Sequence, residues 1–462
     1  MSRPAGAGSP RLRVPSAGLV KLALIAGLLL GLLAAAVPAD AAVRTVVLRH
    51  GPVELGGFET KLPKVWVARP KVDGYVVGMD ARLVYGNGRR VSIRQVMLHH
   101  LVFLNHGPGR RSSCAGRRGE PFWGTGEERQ RLILPRGYGY RIRRGERWRM
   151  QAMLMSHTLR RQRVYVEYTV RIVTGRRLRG VRPLWLRANG CSRHPSYDVN
   201  GEGGRHRKAH TWRIPYTGRI VAAGAHLHGG AHEMRITQPR CRGRTLVHHA
   251  PRYGLPNDLV YRLRPILHEP GPIATGYFLS RTGIPVRRGE RLRVSATYDN
   301  ARPHPSVMAI THVYIATGPA PRPKRACPRL PADRRVFWTR RAGRSEPPVV
   351  RVPLTAVDAK GRLREIDRPP GREHVRAGRA TVRLRDNRFI PANLSVDRGA
   401  IVTWRWLDPF AHNVLLASGP RNVASSIKRR GGRYVKRLSE PGEYRLFCYL
   451  HPVSMHQVIR VR

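Results

Sequence analysis

The chain has 462 residues, and 86 Lys+Arg against 28 Asp+Glu give a formal net charge of +58. Hydrophobic residues at 41% can fill ordinary cores over about two to four domains, which excludes an acidic solvating tail, a collagen-like repeat and a disordered polyampholyte. Gly 47 and Pro 37 with only 7% aromatics favour many short strands and turns, and five cysteines leave at least one free, bound to a ligand or paired outside the chain.

At the amino terminus Arg3, Arg11, Arg13 and Lys21 precede an apolar run from Leu22 to Val37, followed by the small-x-small pattern Ala39-Asp40-Ala41. A basic region, a short apolar core and a small-residue site predict a signal peptide over residues 1–41, with export to the cell envelope or the medium. An uncleaved anchor is the alternative, because the run lies near the lower end of spanning length.

From Val43 to about Gly318 short β-type runs such as RVYVEYTVRIV (Arg163–Val173) alternate with Gly, Pro and Asn turns. Helical periodicity is sparse, so the fold class is all-β, as sandwiches or barrels. Residues 319–379 are Pro/Arg-rich and weakly periodic, which predicts an extended linker. Residues 380–462 return to alternating strands and have the size of one small β-domain. The bases are scattered over all three regions with no nucleic-acid fold signature, so they read as a solvated arginine-rich surface. Nucleic acid is not an expected partner; acidic cell-envelope polymers are the polyanions that such a surface would attract.

Near the end stand Cys448, His451 and Met455, with His412 about 36 residues earlier. A thiolate, two imidazoles and a weakly held thioether are the trigonal ligand set of an electron-transfer copper. Three of them share one loop between the last two strands. This module, including NRFIPANLSVDRGAIVTWRW and the Tyr444–His451 segment, resembles the cupredoxins of the plastocyanin and amicyanin group. The resemblance implies a Greek-key sandwich with His412, Cys448 and His451 as equatorial ligands and Met455 as the axial one.

The larger region carries four features in order. His99 and His100 are adjacent in an apolar run, so both can reach one metal only through a bulge or a strand-end distortion. His157 follows the Met-rich run Met153-Leu154-Met155. His226 and His228 lie on one strand face at i and i+2, a chelating spacing. Met308 follows a turn. Singly each reads as a core or surface residue; together they resemble the copper type II, ascorbate-dependent monooxygenases, the peptidylglycine α-hydroxylating and dopamine β-monooxygenase family. That resemblance implies two jelly-roll sandwiches, here 43–178 and 179–318, each holding one copper across a solvent gap. His99, His100 and His157 would hold the electron-transfer copper, and His226, His228 and Met308 the copper that meets O2 and substrate. His232, His304 and His312 are candidates for supporting or alternative ligands, and His248-His249 stays unassigned.

Two departures from the family stand out. Its peptide-hydroxylating members carry a carboxylate-binding arginine two residues before the His-x-His, and here that position is Gly224. With Cys448 assigned to copper, Cys114, Cys191, Cys241 and Cys327 allow three disulfide pairings, of which Cys191–Cys327 is favoured because it brackets the second sandwich. The expected function is an exported copper monooxygenase that hydroxylates a C–H bond of a small organic or peptide substrate with O2. Electrons would come from the fused type 1 copper domain, from ascorbate or another reductant, or from a redox partner. The expected complement is one type 1 centre and two further mononuclear coppers. The alternative is a non-catalytic secreted copper-binding or electron-transfer protein.

Overall fold

The computed structural model describes residues 43–319, 327, 329–338 and 343–462, and the signal-peptide expectation lies outside them. The described chain is all-β, with one four-residue helix at Leu259–Arg262 and a single 3-10 turn at Pro239–Cys241. No helix in it is long and apolar enough to cross a membrane.

One long sheet underlies both large sandwiches. Its order runs Arg44–Leu55, Gln162–Val173, Gly74–Val84, Tyr138–Ile142, Arg179–Arg187, Pro303–Thr317, Gly218–Leu227, Tyr277–Val286 and Arg335–Phe337. The two halves meet where Arg179 and Gly180 pair in parallel with Tyr138 and Gly139. A second sheet built on Val96–Asn105 and Trp148–Ser156 covers the first half. A third, built on Arg291–Asp299 and Ala231–Gln238, covers the other. Each sheet is apolar on its inner face, because side chains alternate across a strand and only one set can leave water. The first core is aromatic: Phe103 stacks on Trp123 at 5.6 Å and Phe122 on Tyr140 at 4.9 Å, with Trp148 against both phenylalanines. Each such ring contributes roughly 1.5–3 kcal/mol by burial. The second core is aliphatic, with Ile236, Val294, Ile284 and Val313 buried.

The sandwiches are tied to each other by more than the shared sheet. Arg182 of the second meets Glu120 of the first at 3.2 Å, and Arg110 joins Glu120 and Glu146 in the same buried network. Cys114–Cys191 is a disulfide between the two, and Cys241–Cys327 fastens the segment after residue 319 to the second. The favoured Cys191–Cys327 bridge is therefore corrected. The linker also carries structure: Arg335–Phe337 extends the long sheet, Leu354–Val357 and Leu363–Ile366 form a hairpin, and Glu373–Arg376 pairs in parallel with Asn393–Val396 of the last domain. Its Pro and Arg content masked short strands that are fixed by neighbours rather than by their own periodicity.

The carboxy-terminal module packs a five-stranded sheet on a four-stranded one, with Trp404, Trp406, Tyr444 and Met455 in its core. It is seated on the large region. Tyr449 packs with Met97, Met153, Met155, Leu263 and Leu267, and its carbonyl accepts a hydrogen bond from Thr60 Oγ1 at 2.9 Å.

Candidate metal centres

In the last domain the loop after the Gly442–Phe447 strand closes on itself. The Cys448 N–H donates to the Met455 carbonyl at 3.1 Å, and the Met455 N–H donates to the His451 carbonyl at 3.1 Å. This puts Cys448 and Met455 side by side, both fully buried. His412 arrives from the loop after Ala400–Trp406, where Trp406 Nε1 donates to its carbonyl at 3.0 Å. The ligand atoms of His412, Cys448 and His451 lie within 4.8 Å of one another. His412 Nδ1 is 3.2 Å from His451 Nδ1, and Cys448 Sγ is 3.8 Å from the latter. The Asp408 carboxylate holds His412 Nε2 at 2.9 and 3.1 Å, which fixes the ring and leaves Nδ1 for an ion. Burial pushes the Cys448 thiol up to about 11. Burial and the neighbouring His412 bring His451 down to about 4. The donors therefore fit a copper ion that displaces the thiol proton.

The second constellation rests on a β-bulge. Along the Val96–Asn105 strand Leu98 pairs with Leu154 and His100 with Met153, so His99 is the extra residue. The bulge cancels the alternation that would send the two rings to opposite faces. Their Nδ1 atoms are 2.7 Å apart. From the end of the Gly218–Leu227 strand and the residue just past it, His226 and His228 enter the same space: ring centroids are 5.1 Å apart within this pair, 5.7 Å between His99 and His228, and 6.2 Å between His100 and His226. The two pairs thus form one buried cluster, where the resemblance implied a solvent gap between them.

His157 stands at the cluster's edge, its ring against the Arg264–Pro265 backbone, and among the described residues no side chain holds either nitrogen. Between it and His99 comes His268, whose ring lies 4.2 Å from that of His99. Glu127 Oε1 lies 3.7 Å from His99 Nε2 and 3.5 Å from His268 Nε2, so these three groups also bracket an ion-sized position. Met308 lies beyond His226: His226 pairs with Ile310, and Met308 is two residues along on the same face.

Burial and mutual repulsion disfavour charge on four of these imidazoles, His99, His100, His157 and His228. His99 and His228 are held well below the usual histidine range by burial and then by neighbouring histidines. Burial, with neighbouring histidines adding to it, lowers His100 to about 3. Burial lowers His157 to about 4. His226 differs: burial disfavours its charge, but the Glu128 carboxylate 3.1 Å from Nδ1 outweighs this and raises its pKa. Glu128 is locked by the Gly126 N–H at 2.7 Å, and a Cβ on Gly126 would stand 2.5 Å from the His226 ring. Nε2 of His226 and of His228 have no partner among the described residues. Buried imidazoles with open nitrogens, most of them disfavouring charge and one backed by a carboxylate, are the donor set of a metal site.

Of the other histidines, His304 is held by Glu269, His232 is 3.2 Å from Glu346, and His249 spans Gly276 and Thr311. His312 stacks on Trp185 at 4.1 Å and lines the cavity next to His226. Sequence reasoning missed His268, Glu127, Glu128 and Asp408. The one available signal was the scarcity of acids, which makes the doublet Glu127-Glu128 in a Gly-rich stretch unusual.

A cavity of about 470 Å³ opens beside the cluster, with His100, His226, Met308 and His312 on its wall. Gly224 pairs with His312 of that wall and has no room for a side chain, since an added Cβ would fall 1.8 Å from Gln130 Oε1. Gly224→Arg is thus expected to cost about 1–3 kcal/mol or more as overpacking, measured as a lowered melting temperature, and to give no carboxylate site.

Residues 378–462 match the family of copper binding proteins of the plastocyanin/azurin type. A probable copper-dependent oxygenase of Phoma sp. is 24% identical over 279 residues, covering 54% of this chain; the chain spans 66% of that relative's length. A probable copper-dependent oxygenase of Cochliobolus lunatus is 26% identical over 264 residues, covering 53% of this chain and 80% of the relative. Among solved structures, a purple cupredoxin from Nitrosopumilus maritimus is 24% identical, with 18% of this chain and 99% of that chain covered and a TM-score of 0.17. A reduced amicyanin mutant is 25% identical, with 18% and 83% covered and a TM-score of 0.17.

Proposed function

From a chain that joins a plastocyanin/azurin-type copper domain to similarity with copper-dependent oxygenases, we propose an exported copper monooxygenase that hydroxylates a substrate C–H bond. One O2, two electrons and two protons would convert R–H to R–OH and water. The observation that carries this reading is the convergence of His99, His100, His226 and His228 beside a cavity that also receives Met308. Bound copper would supply the one-electron chemistry that activates O2. The chain's own work is to bind and position. His226, His228 and Met308 would hold the metal at the cavity wall, His99, His100 and His157 would serve the second position, and Glu128 orients the His226 ring.

Two observations support electron delivery from the last domain. Tyr449, next in sequence to Cys448, packs on Met97 and Met155, and its carbonyl accepts from Thr60. His451 opens on a cleft shared with residues 56–60 of the first sandwich. The reductant is then an external donor to this domain, or ascorbate or a similar small molecule acting directly. Export is supported by the pattern of residues 1–41 and by two disulfides.

Copper analysis of the purified chain with its visible spectrum tests the reading. About three coppers per chain, one strongly blue, are expected. A stoichiometry near one would point to an electron-transfer protein and overturn it.

A further inference from the structure

The cavity beside His226 carries a charge pattern that the oxidation chemistry does not use. Five of its lining side chains are cationic, Lys64, Arg117, Arg118, Arg149 and Arg187, and none is Asp or Glu. On a chain of net charge +58, exposed bases at a rim are ordinary. Arg187 is different, because it is only 5% exposed. Its partners are neutral: Nη2 donates to the Ser192 carbonyl at 3.0 Å and lies 3.6 Å from Cys114 Sγ. No carboxylate pairs with it among the described residues. Burial and Arg117 lower its pKa to about 10, so it stays charged at neutral pH. A buried cation without a counter-charge is costly, and such a cost persists where a ligand relieves it.

Strand register gives the geometry. Arg187 pairs with Ile310, which pairs with His226; in the next row Trp185 pairs with His312, which pairs with Gly224. Two strand spacings put the Arg187 and His226 backbones roughly 10 Å apart. Ile310 stands between them, and Trp185 in the adjacent row extends this apolar floor.

We propose that this cavity takes a small organic anion, a carboxylate or a phosphate ester, gripped by the Arg187 guanidinium with its body lying over Ile310 toward His226 and Met308. A planar fork of N–H donors matches either anion. The direction of the reactive carbon rests on the oxygenase reading; the binding itself does not.

Calorimetric titration of the copper-loaded full chain with 4-phenylbutyrate, phenyl phosphate and the uncharged 4-phenylbutyramide tests this. At least one anion is expected to bind about 10-fold or more tighter than the amide, and comparison of the two anions identifies the preferred head group. Arg187→Met should weaken that binding about 10- to 100-fold, leave copper content unchanged and not lower the melting temperature, since it removes a desolvated charge. A lowered melting temperature with unchanged anion affinity would assign Arg187 a purely structural role and overturn the proposal. So would equal affinity for amide and anions, or no anion binding by the unsubstituted chain. Should the Met variant fail to fold, Arg187→Lys keeps the charge but loses the fork; unchanged affinity there also overturns it. Oxygen uptake measured in parallel separates the two readings: anion binding through Arg187 without any uptake leaves this site standing and removes the oxygenase.

Discussion

Replacing His226 by alanine is expected to abolish reductant-dependent O2 uptake while the blue absorption of the carboxy-terminal centre persists. His226, like His100, touches both the buried cluster and the open cavity, and its Nε2 has no partner among the described residues. The alanine variant also strips a buried carboxylate, Glu128, of its partner, which can cost about 3–5 kcal/mol. His226→Gln separates the two effects, because an amide can still donate to Glu128 but is a poor copper ligand. Uptake should fall more than about 100-fold in both variants, with the melting temperature reduced mainly in the alanine form. Glu128→Gln leaves the ligand and loosens its orientation, so a smaller loss of about 10- to 100-fold is expected. Uptake that survives in His226→Gln would remove this residue from the site.

Cys448→Ser is expected to erase the blue absorption and lower copper content by one per chain, with the remaining copper retained. The substitution is close to isosteric in a fully buried position, and the Asn413 N–H that lies 3.4 Å from Sγ can still meet an oxygen. The module should therefore stay folded. A hydroxyl does not replace a soft thiolate as a copper ligand. Turnover driven by a protein donor to the last domain should fall to the background rate, whereas turnover driven by a small reductant at the large-region cluster should persist. Equal turnover with both donors in Cys448→Ser would show that electrons do not pass through this domain.

The four residues of the carboxy-terminal centre were legible because their grouping is local. Cys448, His451 and Met455 share one loop closed by its own hydrogen bonds, and only His412 has to be brought in. The His99-His100 doublet was legible as a condition: two adjacent imidazoles can share a site only across a bulge, and the register shift after Leu98 supplies it. His226 and His228 followed from strand alternation, which needs no tertiary knowledge. His268 and Glu127 were not legible, because each sits in a loop with no periodicity and neither gains meaning until the two loops meet at His99. Their contact is made by the way two sandwiches pack, and no spacing along the chain records it.

The same division holds for the fold. Alternation of apolar residues and Gly/Pro turns is a local property, so the all-β class and the cupredoxin-type module could be read from the chain alone. Pairing partners are not local. That one sheet runs through both sandwiches, that Cys114 bonds to Cys191 and that Pro/Arg-rich segments complete existing sheets are settled by which surfaces bury one another. The net charge of +58 is the clearest case, since composition could only describe it as a solvated surface. Folding takes one of those arginines, Arg187, out of water with no acid among the described residues to neutralise it, because the disulfide-linked Cys114 loop and the neighbouring strands pack around it.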